Sequence, residues 1–168
     1  MNRAEGRWGK KIDQILDHPL FRYHLQENEA AEADRSFCRH NMGHFLDVAR
    51  IAWIINLEEK MDVSGEWIYA AALLHDLGKH VQYENGTPHE KVSAEIAPEI
   101  LKDCGFQEAE VQAIVDAIDH HRDAAIREER NLRGLLYRGD KASRACFACK
   151  MESQCNWKEG KKNLKIVY

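Results

Sequence analysis

The stretch Ala70-Ala71-Ala72-Leu73-Leu74-His75-Asp76-Leu77-Gly78-Lys79 decides the reading of this chain. An apolar helical run ends abruptly in an imidazole, a carboxylate and a glycine. His75 and Asp76 are thereby driven to the inner end of an apolar helix, and both must be satisfied there. Buried polar groups are costly unless they are hydrogen-bonded, paired or bound to a metal. The rest of the sequence can be searched for their partners.

Upstream, His44, Val48, Ile51 and Ile55 recur at intervals of four, three and four, which places them on one face of a helix over residues 41–60. The decisive stretch closes a second helix, begun near Gly65 after the polar turn Asp62-Val63-Ser64. Downstream, Thr87-Pro88-His89-Glu90 reads as a helix start, with Thr87 as N-cap, Pro88 in the first turn and Glu90 three residues after the cap. This third helix should end near Cys104 with Gly105 as its terminating glycine, and Pro98 within it should bend it. A fourth covers about 107–121, with Val111, Ile114, Val115 and Ile118 inward, and a fifth about 132–149. Two shorter helical segments flank His18-Pro19, and the last ten residues read as a polar tail or short extension. The expected fold is an all-α helical bundle in a single domain.

Bulk properties narrow the function classes. A chain of 168 residues makes one ordinary domain with a single core. Hydrophobic content of 44% beside 31% charged residues describes a globular protein. A net charge of −4 gives no general reason to expect duplex nucleic acid or an anionic membrane as partner. No apolar stretch reaches transmembrane length, and Met1-Asn2-Arg3-Ala4-Glu5-Gly6 lacks a signal-peptide core. The expected location is the cytoplasm, where five cysteines serve as thiols or metal ligands rather than disulfides.

His44 opens the first long helix, His75 and Asp76 close the next, His89 falls in the first turn of the third, His120-His121 end the fourth, and Asp140 lies in the fifth. Facing helices that pool inward histidines and carboxylates build metal sites. This donor set suits iron, manganese, zinc, nickel or cobalt. Seven candidate ligands exceed the needs of one ion and would suit two, bridged by Asp76.

The ordered set His44, His75-Asp76, Asp140 resembles the HD-domain superfamily of metal-dependent phosphohydrolases. The strings His44-Phe45-Leu46-Asp47-Val48-Ala49, Ala72 through Lys79 and Gly139-Asp140-Lys141 carry the likeness, over about 38–147. The added His89 and His120-His121 are similar to the subset with binuclear centres. The resemblance implies a five-helix core at 38–147, an N-terminal helical extension over 1–37 and a cysteine-containing C-terminal extension over 148–168. It also implies a metal-activated water attacking a phosphoester or phosphoanhydride of a phosphorylated, nucleotide-like small molecule. In that scheme His44, His75, Asp76 and Asp140 hold the first ion, and His89, His120 and His121 complete the second. Neighbours on a helix diverge by about 100°, so whether one or both of His120 and His121 bind stays open. Asp76 and Lys79 are the candidate catalytic residues, Lys79 as the first candidate for a substrate phosphate contact and Arg144 as the second. The paired histidines lead into Arg122-Asp123-Ala124-Ala125-Ile126, without the Glu and Gly-Tyr-Pro element of HD-GYP cyclic-di-GMP phosphodiesterases. The layout is closer to small HD proteins that hydrolyse symmetrical dinucleoside polyphosphates. The same ligands would also serve a di-iron oxygenase or a non-catalytic metal or nucleotide sensor.

Each residue has a plainer reading. A histidine favours a helix C-terminus, and Asp140 could pair with Arg144 at i,i+4. His18, His24 and His80 read as surface or packing residues, and His40 as a support for His44. Cys146, Cys149 and Cys155 form C-x2-C-x5-C after Asp140, with Cys38 six residues before His44. If the helices of His44 and Asp140 are neighbours, four thiolates could hold structural zinc or an iron–sulfur group. A C-x2-C within a helix is otherwise two small packing residues one turn apart. Trp157 reads as a packed anchor, with Lys158, Lys161 and Lys162 as a solvated basic edge.

Overall fold

A helix as apolar as 65–74 has no face to offer to solvent, so other helices must surround it. The computed structural model, which describes residues 8–168, builds the chain around that helix. Residues 1–7, which hold Met1 to Gly6 and the start of the expected N-terminal extension, lie outside the described residues. In chain order the α-helices are α1 (Lys10–Asp17), α2 (Pro19–Ala31), α3 (Met42–Glu58), α4 (Gly65–Leu74), α5 (Lys79–Asn85), α6 (His89–Asp103), α7 (Glu108–His120) and α8 (Leu132–Ala142). Short 3-10 turns and loops join them, and there is no strand among the described residues. Helix α4 is buried along nearly its whole length, with α3, α7, α8 and α1 packed around it. Helix α3 also packs along α8, and α6 along α7. Ile12 and Ile15 of α1 and Phe21 of α2 join the same core. No helix among the described residues is long and apolar enough to cross a membrane.

Local signals place the helix ends. Asn41 caps α3 by accepting from the His44 backbone N–H at 3.1 Å, which sets His44 in the first turn of a helix that then runs down the core. Gly105, at φ 83°, ends α6: its N–H donates to Lys102 O and that of Phe106 to Leu101 O, both at 3.0 Å.

Three expectations about the elements are corrected. Thr87 is not the N-cap of α6, because Pro88 holds that position in an extended conformation and the Thr87 N–H is drawn to Asn85 Oδ1 at 3.0 Å. The fifth expected helix, α8, stops at Ala142 instead of running to Cys149. Ser143 Oγ donates to Asp140 O at 2.7 Å and Asn163 Nδ2 to Lys141 O at 2.8 Å, taking carbonyls that a longer helix would use. The C-x2-C pair therefore brackets a 3-10 turn, Cys146–Ala148. Helix α5 was not expected, since 79–85 contributes no buried residue and has no apolar period. It is pinned through Asn28, a buried side chain of α2 that donates to Asp76 O at 2.9 Å and accepts from the His80 N–H at 2.8 Å.

Two glycines permit the close approaches that assemble the site. A Cβ on Gly139 would sit 2.9 Å from Val48 O and 3.0 Å from Ala52 Cβ, so α8 rides directly on α3 and carries Asp140 to His44. A Cβ on Gly78 would lie 2.5 Å from Val92 Cβ and 2.9 Å from His89 O, so the start of α6 closes over the turn after Asp76.

Candidate metal centre

The chain brings six of the expected residues to one end of the bundle. Asp76 stands in the middle. Its Oδ2 lies 3.1 Å from His75 Nε2 and 3.2 Å from His44 Nε2. Asp140 Oδ1 approaches the same two nitrogens at 3.8 and 3.5 Å. The other oxygen, Asp76 Oδ1, lies 3.0 Å from His89 Nε2 and 3.5 Å from His121 Nε2. Ligand atoms within each of the two groups, His44–His75–Asp76–Asp140 and Asp76–His89–His121, all fall within 4.8 Å of one another. One carboxylate thus faces both groups, one oxygen to each. His75, Asp76 and His121 are at most 3% exposed, which removes solvent as their partner.

The imidazoles are oriented from behind. His75 Nδ1–H donates to Ala72 O and His121 Nδ1–H to Ile118 O, both at 2.7 Å. His89 Nδ1 is held by Gln82 Oε1. Ser143, whose hydroxyl hydrogen goes to Asp140 O, accepts from His44 Nδ1 at 3.3 Å. With the proton on Nδ1, each Nε2 presents a lone pair to the centre, the arrangement that orients histidine ligands. His75 Nε2 is buried with no hydrogen-bond partner, a cost that metal ligation removes.

The charges fit the same occupant. Burial alone would raise both carboxyls. The facing imidazoles, His75 foremost, hold Asp76 well below the usual carboxylate range, and Lys141 with His44 and His75 does so for Asp140. Burial pushes His75 down, but Asp76 and Asp140 outweigh it and lift the ring to about 10. The two carboxylates thus call for positive charge at Nε2, which a proton or a divalent cation supplies. Burial lowers His89 against the pull of Asp76, which favours the neutral ring. Inward imidazole nitrogens, one of them orphaned, and carboxylate oxygens fit divalent transition-metal ions.

His120 is the expected ligand that falls outside both groups. It sits one residue, hence about 100°, away from His121 around the helix. Its Nδ1 bonds Asp116 O at 2.9 Å and lies 3.2 Å from Asp116 Oδ1 near the surface. The i,i+4 pair of Asp140 with Arg144 is not formed either: Lys141 pairs with Asp140. Arg144 instead donates to Arg39 O at 2.8 Å and reaches His44 Nε2 at 3.3 Å. His18 caps α2, accepting from the Leu20 N–H at 3.2 Å, and His24 and His80 bond each other at 2.9 Å. Trp157 is exposed rather than a packed anchor.

Sequence reasoning missed the supports. Glu32, 1% exposed, accepts from the backbone and ring of His40 and from Tyr83 Oη at 2.7 Å. This turns His40 Nε2 toward Asp76 Oδ2, 3.9 Å away. Burial alone would raise Glu32, but these hydrogen bonds win and hold it at about 2. Ser93 Oγ accepts from the Gly78 N–H at 2.9 Å. Asn28, Glu32, Gln82 and Ser93 are polar residues on otherwise ordinary helices. Burial marks Asn28, Glu32 and Ser93, and Gln82 is marked by its bond to His89.

A cleft of about 1160 Å³ opens from Asp76, His89, His121 and Asp140. Lys79, Arg35, Arg122, Arg144 and Lys141 line it, with Phe37, Tyr137 and Trp157 and with Cys38, Cys146, Cys149 and Cys155. Lys79 is lowered chiefly by burial, with Arg122 and Arg35 pushing the same way and Asp76 opposing, so these cations crowd one space beside the carboxylates.

A model of the HD domain family matches residues 41–153. A protein of Clostridium beijerinckii, described as "Uncharacterized protein", is 50% identical over 158 residues, covering 94% of this chain and 99% of that protein. No solved structure matches.

Proposed function

The chain belongs to the HD domain family, and from that premise we propose that it is a metal-dependent phosphohydrolase acting on a phosphoester or phosphoanhydride of a nucleotide-like small molecule. His44, His75, Asp76 and Asp140 would hold one divalent ion and His89 and His121 a second, with Asp76 shared. Such ions supply Lewis-acid chemistry when bound, activating water and offsetting charge on phosphate oxygens. The chain's own residues do the rest. Lys79, Arg35 and Arg122 bind the substrate's anionic oxygens at the mouth of the centre, and Arg144 reaches in beside His44. Phe37, Tyr137 and Trp157 give a flat ring a surface to stack on.

The observation that carries this reading is the pairing of Asp76, facing two ligand groups, with a cationic cleft wall. The ligands alone would serve a di-iron oxygenase or a sensor equally well. The wall of lysines and arginines is what favours a phosphorylated substrate. The test is a panel of phosphorylated metabolites assayed with Mn, Fe, Co and Ni, with oxygen consumption followed in parallel. Asp76→Ala removes a ligand from both groups at once. Since loss of a mere outer-shell support costs 10–100-fold, phosphate release should fall by at least about a hundredfold with helical content retained. Turnover equal to the parent, or oxygen uptake without phosphate release, overturns the proposal.

A further inference from the structure

None of the five cysteines belongs to the centre described above, and four of them gather elsewhere. Cys38 lies in the loop between α2 and α3, while Cys146, Cys149 and Cys155 follow α8. All four are free thiols of intermediate exposure, and all four line the same cleft as the histidine centre. Cys38 registers the others directly: burial pushes its thiol up, and Cys146, Cys149 and Cys155 push the same way against Arg144. The fifth, Cys104, is buried at the end of α6 and stands apart from this cleft.

The segment that carries three of them has little else to hold it. From residue 143 to 168 no side chain is buried, and the only regular elements are the 3-10 turns Cys146–Ala148, Glu152–Gln154 and Glu159–Lys161. Phe147, Trp157 and Leu164 are exposed. A segment without an apolar core cannot fix its path by burial, and small units of this kind are held by cross-links or metals. Its polar ties are few. Arg144 donates to Arg39 O, Lys162 Nζ binds Glu152, Asn163 binds Lys141 O and Arg144 O, and the Phe147 N–H donates to Asn163 O at 3.0 Å. The turns nonetheless hold the cysteines in place, with the Cys149 N–H on Cys146 O and the Cys155 N–H on Glu152 O, each at 3.2 Å.

We propose that Cys38, Cys146, Cys149 and Cys155 bind a second, thiophilic metal centre that fastens the C-terminal segment to the loop before α3 and so fixes one wall of the cleft. Four thiolates are the donor set of structural zinc and of iron–sulfur clusters. Binding takes the sulfurs as thiolates, and their protons leave to solvent. Among the described residues the groups that close within 4.8 Å are the two histidine–carboxylate ones. No three of these sulfurs therefore close to the roughly 3.8 Å between thiolates on one tetrahedral zinc with bonds of about 2.3 Å. A polynuclear iron–sulfur cluster spreads its thiolates farther apart and asks for less closure. The wall it would fix carries Lys158 and Lys161, both facing the same cleft as the histidine centre.

The test uses the full chain purified without oxygen, analysed for iron, zinc and acid-labile sulfide and examined by X-ray absorption. The expected result is labile sulfide with sulfur-to-iron charge-transfer absorption. Zinc in an all-sulfur shell at about 2.3 Å would support the centre in its mononuclear form. Cys38→Ser and Cys149→Ser should each lose that signal, whereas Cys104→Ser and Asp76→Ala should keep it. Retention in Asp76→Ala separates these sulfurs from ions at the histidine centre. The parent is measured first, so a variant that fails to fold leaves the test intact. A parent chain with neither labile sulfide nor sulfur-coordinated metal overturns the proposal, as does full retention in Cys38→Ser and Cys149→Ser.

Discussion

Gly139→Ala tests how the bundle builds its site. The new Cβ would meet Val48 O at 2.9 Å and Ala52 Cβ at 3.0 Å, where ordinary contact begins at 3.4 Å. Helix α8 must therefore retreat from α3 by 3.4 − 2.9, about 0.5 Å, since neither neighbour is a flexible side-chain end. Overpacking of this kind costs about 1–3 kcal/mol, while the helix regains about 1 kcal/mol when glycine becomes alanine. Net stability should thus fall by only about 0–2 kcal/mol. Metal affinity is the sharper readout, because Asp140 Oδ1 stands 3.5 Å from His44 Nε2 across the contact that must open. Metal–ligand distances tolerate only about 0.2 Å. A tenfold loss of affinity is about 1.4 kcal/mol, or about 3–6 °C less metal-induced rise in Tm for a chain of this size. The assay is thermal unfolding with and without added Mn or Co, beside Gly160→Ala, whose Cβ meets nothing within 4 Å. If Gly139→Ala gains as much Tm from metal as the parent, the close approach does not set the ligand geometry, and the reasoning fails.

Two further predictions separate neighbouring residues or isolate one support. His121→Ala should lower bound metal from two ions per chain to one, by elemental analysis, while His120→Ala keeps both; the reverse result would reassign the ligand. Glu32 is held at about 2 against an ordinary value of 4.5, so its contribution is fully present above 4.5 and lost as pH falls toward 2. At about 1.4 kcal/mol per pH unit this is worth roughly 3 kcal/mol. Glu32→Gln should accordingly flatten the acid limb of denaturant-derived stability across that window, and an unchanged limb would refute it.

Much of the architecture was legible because it rests on local chemistry. The apolar run at 70–74, the period of His44, Val48 and Ile55, and the glycine after Cys104 act through their immediate neighbours, and all three appear as read. The end of α8 was not legible. Asn163, far along the chain, takes the carbonyls that would have continued it. Helix α5 was hidden for the same reason, since a buried asparagine in α2 pins it rather than any period of its own. The supports of the centre, Glu32, Gln82 and Ser93, look like surface residues until the packed helices give them partners.

By itself the sequence determined that histidines and carboxylates would end on several helices of one bundle, because helical period and apolar content fix which face each helix must bury. It could not choose between His120 and His121, nor say whether Cys38 and the C-terminal cysteines would line the same cleft. Those outcomes depend on the rotation and separation of packed helices. Tertiary structure decided them through contacts such as Gly139 on Val48 and Gly78 on His89, where the absence of a side chain lets two backbones meet.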